Sequence, residues 1–207
     1  MGRIVELKHP LVSHHMATLR DKTTPPHIFR DQIRRLTLLL TYEATASLPL
    51  RNLEIETPLK TMECKELSCR LGLVPILRAG LGMSTAVQDL IPQAEVWHLG
   101  FYRDESTLKP VEYYQKFSDS PPQIVFILDP MLATGGSAIE GINRVKKWGV
   151  KNIFLLCIIA APEGVFSVQE AHPGVDIFTC AIDEKLNEAA YIVPGLGDAG
   201  DRIFNTH

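Results

Sequence analysis

Apolar and polar positions separate most sharply over residues 124–148. Ile124, Val125, Phe126, Ile127 and Leu128 are apolar in succession, the pattern of a strand buried on both faces. Asp129 stands where that strand emerges. Ala133-Thr134-Gly135-Gly136-Ser137 then form a loop of small residues, after which Ile139, Ile142, Val145 and Trp148 recur at helical spacing. The same reading predicts strands over residues 71–77, 96–101, 153–159 and 176–182, and a short one over 53–59. Helices are predicted over 83–90, 137–148 and 163–171. Residues 111–117 can return as a strand, which makes 96–117 a long hairpin, and long polar hairpins near a site often serve as lids.

Before these, Thr24-Pro25-Pro26 marks a helix start, with Thr24 as N-cap candidate and prolines in the first turn. Its apolar stripe is Phe29, Ile33, Leu36, Leu39 or Leu40, and Tyr42. Arg30, Arg34 and Arg35 fall off it as a solvated face. The alternation of strands and helices predicts an α/β fold with a mostly parallel twisted sheet flanked by helices. Ligands bind beyond the carboxyl ends of such strands. Arg78, ahead of Ala79-Gly80-Leu81-Gly82, and Asp129 both fall at such ends.

Composition narrows the partners. The 207 residues suffice for one sizeable domain. Lys plus Arg is 21 and Asp plus Glu is 24, a net charge of −3, which leaves no global footprint for nucleic acid. Cys64, Cys69, Cys157 and Cys180 show no CxxC spacing, and the last two sit in apolar runs as core residues. That usage fits a reducing compartment. The opening Met1-Gly2-Arg3-Ile4-Val5-Glu6 has no apolar core of a signal peptide, and Glu6 breaks the myristoylation pattern. The apolar run 153–161 is far short of the ~20 residues that cross a bilayer. A cytoplasmic protein with no membrane partner is expected. His9, His14 and His15 have no acidic or cysteine partner nearby, so residues 9–20 read as a packed or solvated arm rather than a metal site.

The chemistry begins at the loop after Asp129. Backbone N–H groups there, together with a helix N-terminus, favour an anion. Gly135 and Gly136 let the backbone approach it, while Thr134 and Ser137 add hydroxyl donors. The Asp129 carboxylate suits sugar hydroxyls. Phosphate and ribose are therefore the expected ligands, against the plainer reading of a strand-to-helix turn that needs Gly and a capping Ser. Gly195-Leu196-Gly197-Asp198-Ala199-Gly200 matches G-x-G-x-x-G. It lacks the βαβ context and the downstream acid of a dinucleotide site, and is set aside.

The sequence resembles the uracil phosphoribosyltransferase family, from His9-Pro10 onward. The stretches that carry the resemblance are Thr41-Tyr42-Glu43-Ala44-Thr45, Val74-Pro75-Ile76-Leu77-Arg78-Ala79-Gly80-Leu81, Tyr102-Arg103 with Glu105, residues 129–137, Ala160-Ala161-Pro162-Glu163-Gly164 and residues 191–202. It implies a type I phosphoribosyltransferase fold in one domain. Residues 70–182 would be the core, 1–50 an N-terminal arm and helix, and 183–207 a uracil-binding hood, beside the long β-hairpin. It implies conversion of uracil and 5-phosphoribosyl 1-diphosphate (PRPP) to uridine 5′-monophosphate (UMP) and diphosphate with Mg²⁺, in pyrimidine salvage. The implied PRPP-binding residues are Arg78, Arg103, Asp129, Pro130, Met131, Leu132, Ala133, Thr134, Gly135, Gly136, Ser137 and Asp198. For uracil they are Ile192, Gly197, Asp198 and Ala199. Asp198 is also the candidate proton acceptor, and no direct protein ligand of the metal is implied.

The resemblance further implies a homodimer or larger homo-oligomer, and a GTP effector whose site would be sought near the N-terminal histidines and arginines. Two positions depart from the family, Ala190 and Asn205, where glycines are usual. A positive φ at position 190 would cost Ala about 1–2 kcal/mol. A nucleotide-sensing regulator of the same fold is disfavoured by the acidic balance and the intact Arg78, Arg103 and Asp129 motifs. A purine-specific enzyme is disfavoured by the tail.

Overall fold

The computed structural model describes residues 2–103 and 110–206, and the side chains of residues 2–101 and 113–206. In chain order the elements are β1 (Ile4–Glu6), α1 (Pro10–Arg20), α2 (Pro26–Thr45), β2 (Leu50–Glu56), β3 (Thr61–Leu67), β4 (Leu71–Leu77) and α3 (Leu81–Leu90). There follow β5 (Glu95–Val96), β6 (Leu99–Arg103), β7 (Pro110–Gln115), β8 (Ile124–Leu128), β9 (Met131–Leu132) and α4 (Gly136–Trp148). The last are β10 (Asn152–Ala160), α5 (Pro162–Ala171), β11 (Asp176–Ile182), β12 (Lys185–Leu186), β13 (Ile192–Val193) and α6 (Ala199–Phe204).

The main sheet has the order β1-β11-β10-β8-β4-β6-β7, with β5 beside β4 and β9 beside β10. Every pairing in it is parallel except the β6–β7 hairpin. Successive side chains of a strand point to opposite faces. In β8, Phe126 and Leu128 enter one core, and Val125 and Ile127 the other. The first core takes Phe29, Ile33, Leu36 and Leu40 of α2 with Met83 and Val87 of α3. The second takes Ala138, Ile142 and Val145 of α4 with Val165 and Val168 of α5. The helix after β4 thus covers one face and the helix after β8 the other. These adjacent strands send their connections to opposite sides, which opens a crevice at their carboxyl ends. No helix among the described residues is long and apolar enough to cross a membrane.

Several expectations need correction. The N-terminal arm contains an edge strand of the main sheet and a regular helix. His9 caps α1 by accepting the Leu11 N–H at 3.1 Å, and Val12, Met16 and Leu19 are buried beneath it. Pro25, not Thr24, is the N-cap of α2, and the Thr24 hydroxyl donates to the Thr18 carbonyl at 2.6 Å. Leu40 rather than Leu39 continues the buried stripe, while Tyr42 is 76% exposed because it falls off the helical phase. Arg30 donates to the Ile203 carbonyl at 2.9 Å and Arg34 pairs with Asp89 at 2.7 Å, so neither is merely solvated. The short strand at 53–59 is one arm of an antiparallel hairpin, β2–β3. In the tail, β12 pairs with β13, and Ile192, Leu196 and Ile203 enter the first core.

Candidate functional site

The backbone past β8 is held on the sheet for two further residues before it turns. The Pro130 carbonyl accepts the Ile158 and Ile159 N–H groups at 3.0 Å, and the Leu132 carbonyl accepts the Ala161 N–H at 2.9 Å. The turn itself falls at Gly135, whose φ of +87° lies in the left-handed region. α4 begins at Gly136 with no side chain capping its N-terminus. Its first N–H groups and its dipole are thus available to an anion. The loop is backed by α5. A Cβ on Gly164 would collide with the Ala133 and Leu132 carbonyls, and one on Gly135 would meet the Gly164 carbonyl at 3.2 Å and the Ser167 Cβ at 3.3 Å. Glycine at 164 is what lets the two segments touch.

Asp129 lies at the carboxyl end of β8, half-buried. Burial pushes its carboxyl up to about 7, opposed by the Met131 N–H, which donates to Oδ1 at 3.4 Å. Arg78 follows the carboxyl end of the neighbouring β4 and its guanidinium is half exposed. Its Nη2 lies 3.2 Å from Asp201 Oδ1, an ion pair from the strand end to the tail. A Cβ on Gly80 would strike the Leu128 carbonyl, so the turn after Arg78 packs against the end of β8. The Leu77–Arg78 peptide bond is cis.

Two adjoining cavities open here. One, of about 400 Å³, is lined by Asp129, residues 131–138, residues 189–191 and Asp198. The other, of about 250 Å³, is lined by Arg78, Ala79, Asp129, Met131, Asp198, Ala199 and Gly200. Asp129 and Asp198 border both. Asp198 also caps α6, accepting the Asp201 N–H at 2.9 Å.

Of the residues singled out from the sequence, Arg78, Asp129, Met131, Leu132, Ala133, Thr134, Gly135, Gly136, Ser137, Asp198 and Ala199 meet at these cavities. Pro130 is buried and lines neither. Ile192 is buried in the core, and Gly197, with φ +78°, borders a third cavity of about 630 Å³ on another side of the tail. Arg103 ends β6, and its side chain lies outside the described residues. Ala189 and Tyr191 also line the first cavity. Ala189 carries no chemical signature in the sequence, and Tyr191 only opens the stretch 191–202 that carries the family resemblance. Ala190 does adopt a positive φ, +61°, and Asn205 one of +57°. Among the described residues no cluster of three or more His, Cys, Asp or Glu is placed to hold a metal.

The family model described as uracil phosphoribosyltransferase matches residues 5–206. A protein named uracil phosphoribosyltransferase from Symbiobacterium thermophilum is 52% identical over 208 residues, covering all of both chains. One of the same name from Bacillus cytotoxicus is 53% identical, again end to end. Among solved structures, the AQ2163 protein of Aquifex aeolicus superposes with a TM-score of 0.92 at 38% identity, over 97% of each chain. A hypoxanthine phosphoribosyltransferase from Trypanosoma cruzi superposes with a TM-score of 0.53 over 76% of this chain and 75% of that one. At 10% identity it is similar in fold alone.

Proposed function

The chain belongs to the uracil phosphoribosyltransferase family, and on that premise we propose how its cleft moves a phosphoribosyl group from PRPP to uracil. The protein is a pentosyltransferase of pyrimidine salvage; the products are UMP and diphosphate. The observation that carries the site assignment is the position of Asp129 and Arg78 on either side of the crevice between β8 and β4, beside an uncapped helix start.

The anomeric carbon must part from diphosphate and bond to a ring nitrogen. The transition state resembles an oxocarbenium ion, with positive charge on the sugar and negative charge growing on the leaving group. Such a reaction needs orientation and charge stabilisation rather than a nucleophilic side chain. The N–H groups of residues 133–137, with the Thr134 and Ser137 hydroxyls, are assigned to the 5′-phosphate. Asp129 is assigned to the ribose hydroxyls. Burial raises its pKa, and ribose hydroxyls that donate to the carboxylate favour its charged form. Arg78 and Arg103 are assigned to the diphosphate, whose oxygens match a guanidinium fork.

Residues 192–199 are assigned to the base. Uracil offers an N3–H donor between two carbonyl acceptors, and backbone groups of Ile192, Gly197 and Ala199 suit that edge. Asp198, at the border of both cavities, is the candidate acceptor for the N1 proton. Mg²⁺ is proposed to arrive with PRPP. It is assigned to the diphosphate oxygens with no direct protein ligand, since a hard cation of this kind keeps several waters and binds substrate phosphates rather than an all-protein cage. When bound, it neutralises charge on the diphosphate. The family resemblance also supports a cytoplasmic homo-oligomer with a GTP effector.

Steady-state turnover of uracil with PRPP, with and without GTP, tests this reading. Uracil-dependent release of diphosphate is expected. Release driven by a purine and not by uracil overturns it.

A further inference from the structure

The turn that leads into the base-reading segment is held by charged side chains brought from far along the chain. Asp183, one residue past β11, has a side chain only 4% exposed. Its Oδ2 accepts the Gly195 N–H at 2.9 Å. Arg20, the last residue of α1, donates to the Gly195 carbonyl at 2.7 Å and to Asp183 Oδ2 at 2.8 Å, and its other terminal nitrogen pairs with Oδ1. Arg202 of α6 donates to the next carbonyl, that of Leu196, at 2.7 Å, and to the Leu19 and Asp21 carbonyls at 3.0 and 2.6 Å. Its guanidinium carbon lies 4.2 Å from the centroid of the Phe29 ring. Three consecutive peptide groups, 194–195, 195–196 and 196–197, thus each have one polar group gripped by an ionised side chain.

Gly195 and Leu196 are buried, so their backbone groups need partners. Local backbone supplies few, because the turn is so tight that a Cβ on Gly195 would collide with the Ile192 carbonyl. Yet burying an ion pair is a weak route to stability compared with apolar packing. What this arrangement does supply is orientation. A backbone that reads an acceptor–donor–acceptor edge must present N–H and C=O groups in a fixed order. A glycine peptide can otherwise turn over at little steric cost. Turning one over exchanges a donor for an acceptor. Uracil and cytosine differ by such exchanges: cytosine carries a donor where uracil carries its O4 acceptor, and an acceptor at N3 where uracil carries a donor.

We propose that Arg20, Asp183 and Arg202 are positioning residues for base recognition: they fix the peptide planes of residues 194–197 that set the uracil-reading backbone. The inference rests on the assignment of residues 192–199 to the base.

Kinetics of the full-length Arg20→Met, Arg20→Lys and Asp183→Asn variants test it against the wild type. The KM for uracil is expected to rise about 10- to 100-fold, the size of one or two charge-assisted hydrogen bonds. The KM for PRPP stays within about twofold, and the ratio of uracil to cytosine kcat/KM falls. Arg20→Lys keeps the charge but has no planar fork to span Gly195 and both Asp183 oxygens, so it lies between wild type and Arg20→Met. If Arg20→Met does not fold, the other two variants carry the same reading. Folded variants with an unchanged uracil KM overturn the proposal. So does a parallel rise in both KM values, which marks a merely structural role. A wild type that ignores uracil refutes the assigned function itself, a result distinct from either.

Discussion

Arg78 Nη2 lies 3.2 Å from Asp201 Oδ1, so the end of β4 is tied to the C-terminal helix across the mouth of the cleft. The two side chains are 56% and 41% exposed. An ion pair that open contributes at most about 1 kcal/mol, and often nothing measurable. Arg78→Ala is therefore expected to leave the thermal midpoint almost unchanged while raising the KM for PRPP about 10- to 100-fold. Steady-state kinetics and a melting curve on one preparation check both halves. Unchanged kinetics would remove Arg78 from the diphosphate site.

Gly135→Val brings a branched side chain to a backbone with φ +87°, against the Gly164 carbonyl at 3.2 Å. Left-handed backbone is a genuine outlier for a β-branched residue, and α5 blocks the space behind. The loop is expected to shift and lose the 5′-phosphate. Calorimetry with UMP and with ribose 5-phosphate is expected to show both affinities down by about 100-fold or more, as a lost phosphate cradle requires. Binding at wild-type strength would refute the assignment of residues 133–137.

Asp129 gives the ligand-free protein a pH dependence of known sign. Its carboxyl stands at about 7 in the fold against an ordinary 3.8. The folded state is therefore favoured while the group is protonated, and that contribution is lost as pH rises from about 4 through about 7. A rise of that size is worth about 4 kcal/mol if fully expressed. The carboxyl faces an open cavity, and solvent screening reduces the expectation to about 2 kcal/mol. Urea unfolding of Asp129→Asn beside wild type, without PRPP, checks it. The variant is expected to be the more stable at pH 8, with the difference gone near pH 4, and to lose activity throughout. Parallel pH curves for the two proteins would contradict this.

Ala190, at φ +61°, lines the phosphate-side cavity and donates its N–H to the Asn187 carbonyl at 2.9 Å. An L-residue there costs about 1–2 kcal/mol. Glycine relieves that cost and gives back about 0.4–1 kcal/mol through the freer unfolded chain. Ala190→Gly is expected to gain about 0.5–1 kcal/mol, a rise of roughly 1–4 °C in Tm for a chain of this size. Differential scanning calorimetry decides it, and a lower Tm would show that the backbone at 190 is not strained.

The strands of the sheet centre were readable because burial on both faces demands uninterrupted apolar runs. β4 and β8 fall on the predicted residues. Asp129 and Arg78 were readable by position, as polar residues at the carboxyl ends of such runs. β3 was not, since on this exposed hairpin Met62 and Cys64 alternate with Glu63 and Lys65 only briefly before Glu66 breaks the pattern. α1 carries only Val12, Met16 and Leu19 on its buried side, and its histidines suggest chemistry where one of them is a helix cap. α6 has six residues, too few for a periodic pattern. The grip of Arg20 on Asp183 spans 163 positions, and no local pattern in the sequence encodes a contact at that range. Asp183 did leave one trace: it follows the last strand of the core, as Asp129 follows β8.

That long span orders events during synthesis. The phosphate loop and its support, Gly164, are both made by the time α5 leaves the ribosome. The turn that Arg20 holds does not yet exist, and Arg20 waits through most of translation for the carboxylate it will grip. The residues of the phosphate loop are therefore synthesised well before those of the base-reading turn, while residues 189–191 and Asp198, which complete the cavity beside that loop, come with the tail. Transfer to uracil begins only when the last-made segment folds back onto one of the first.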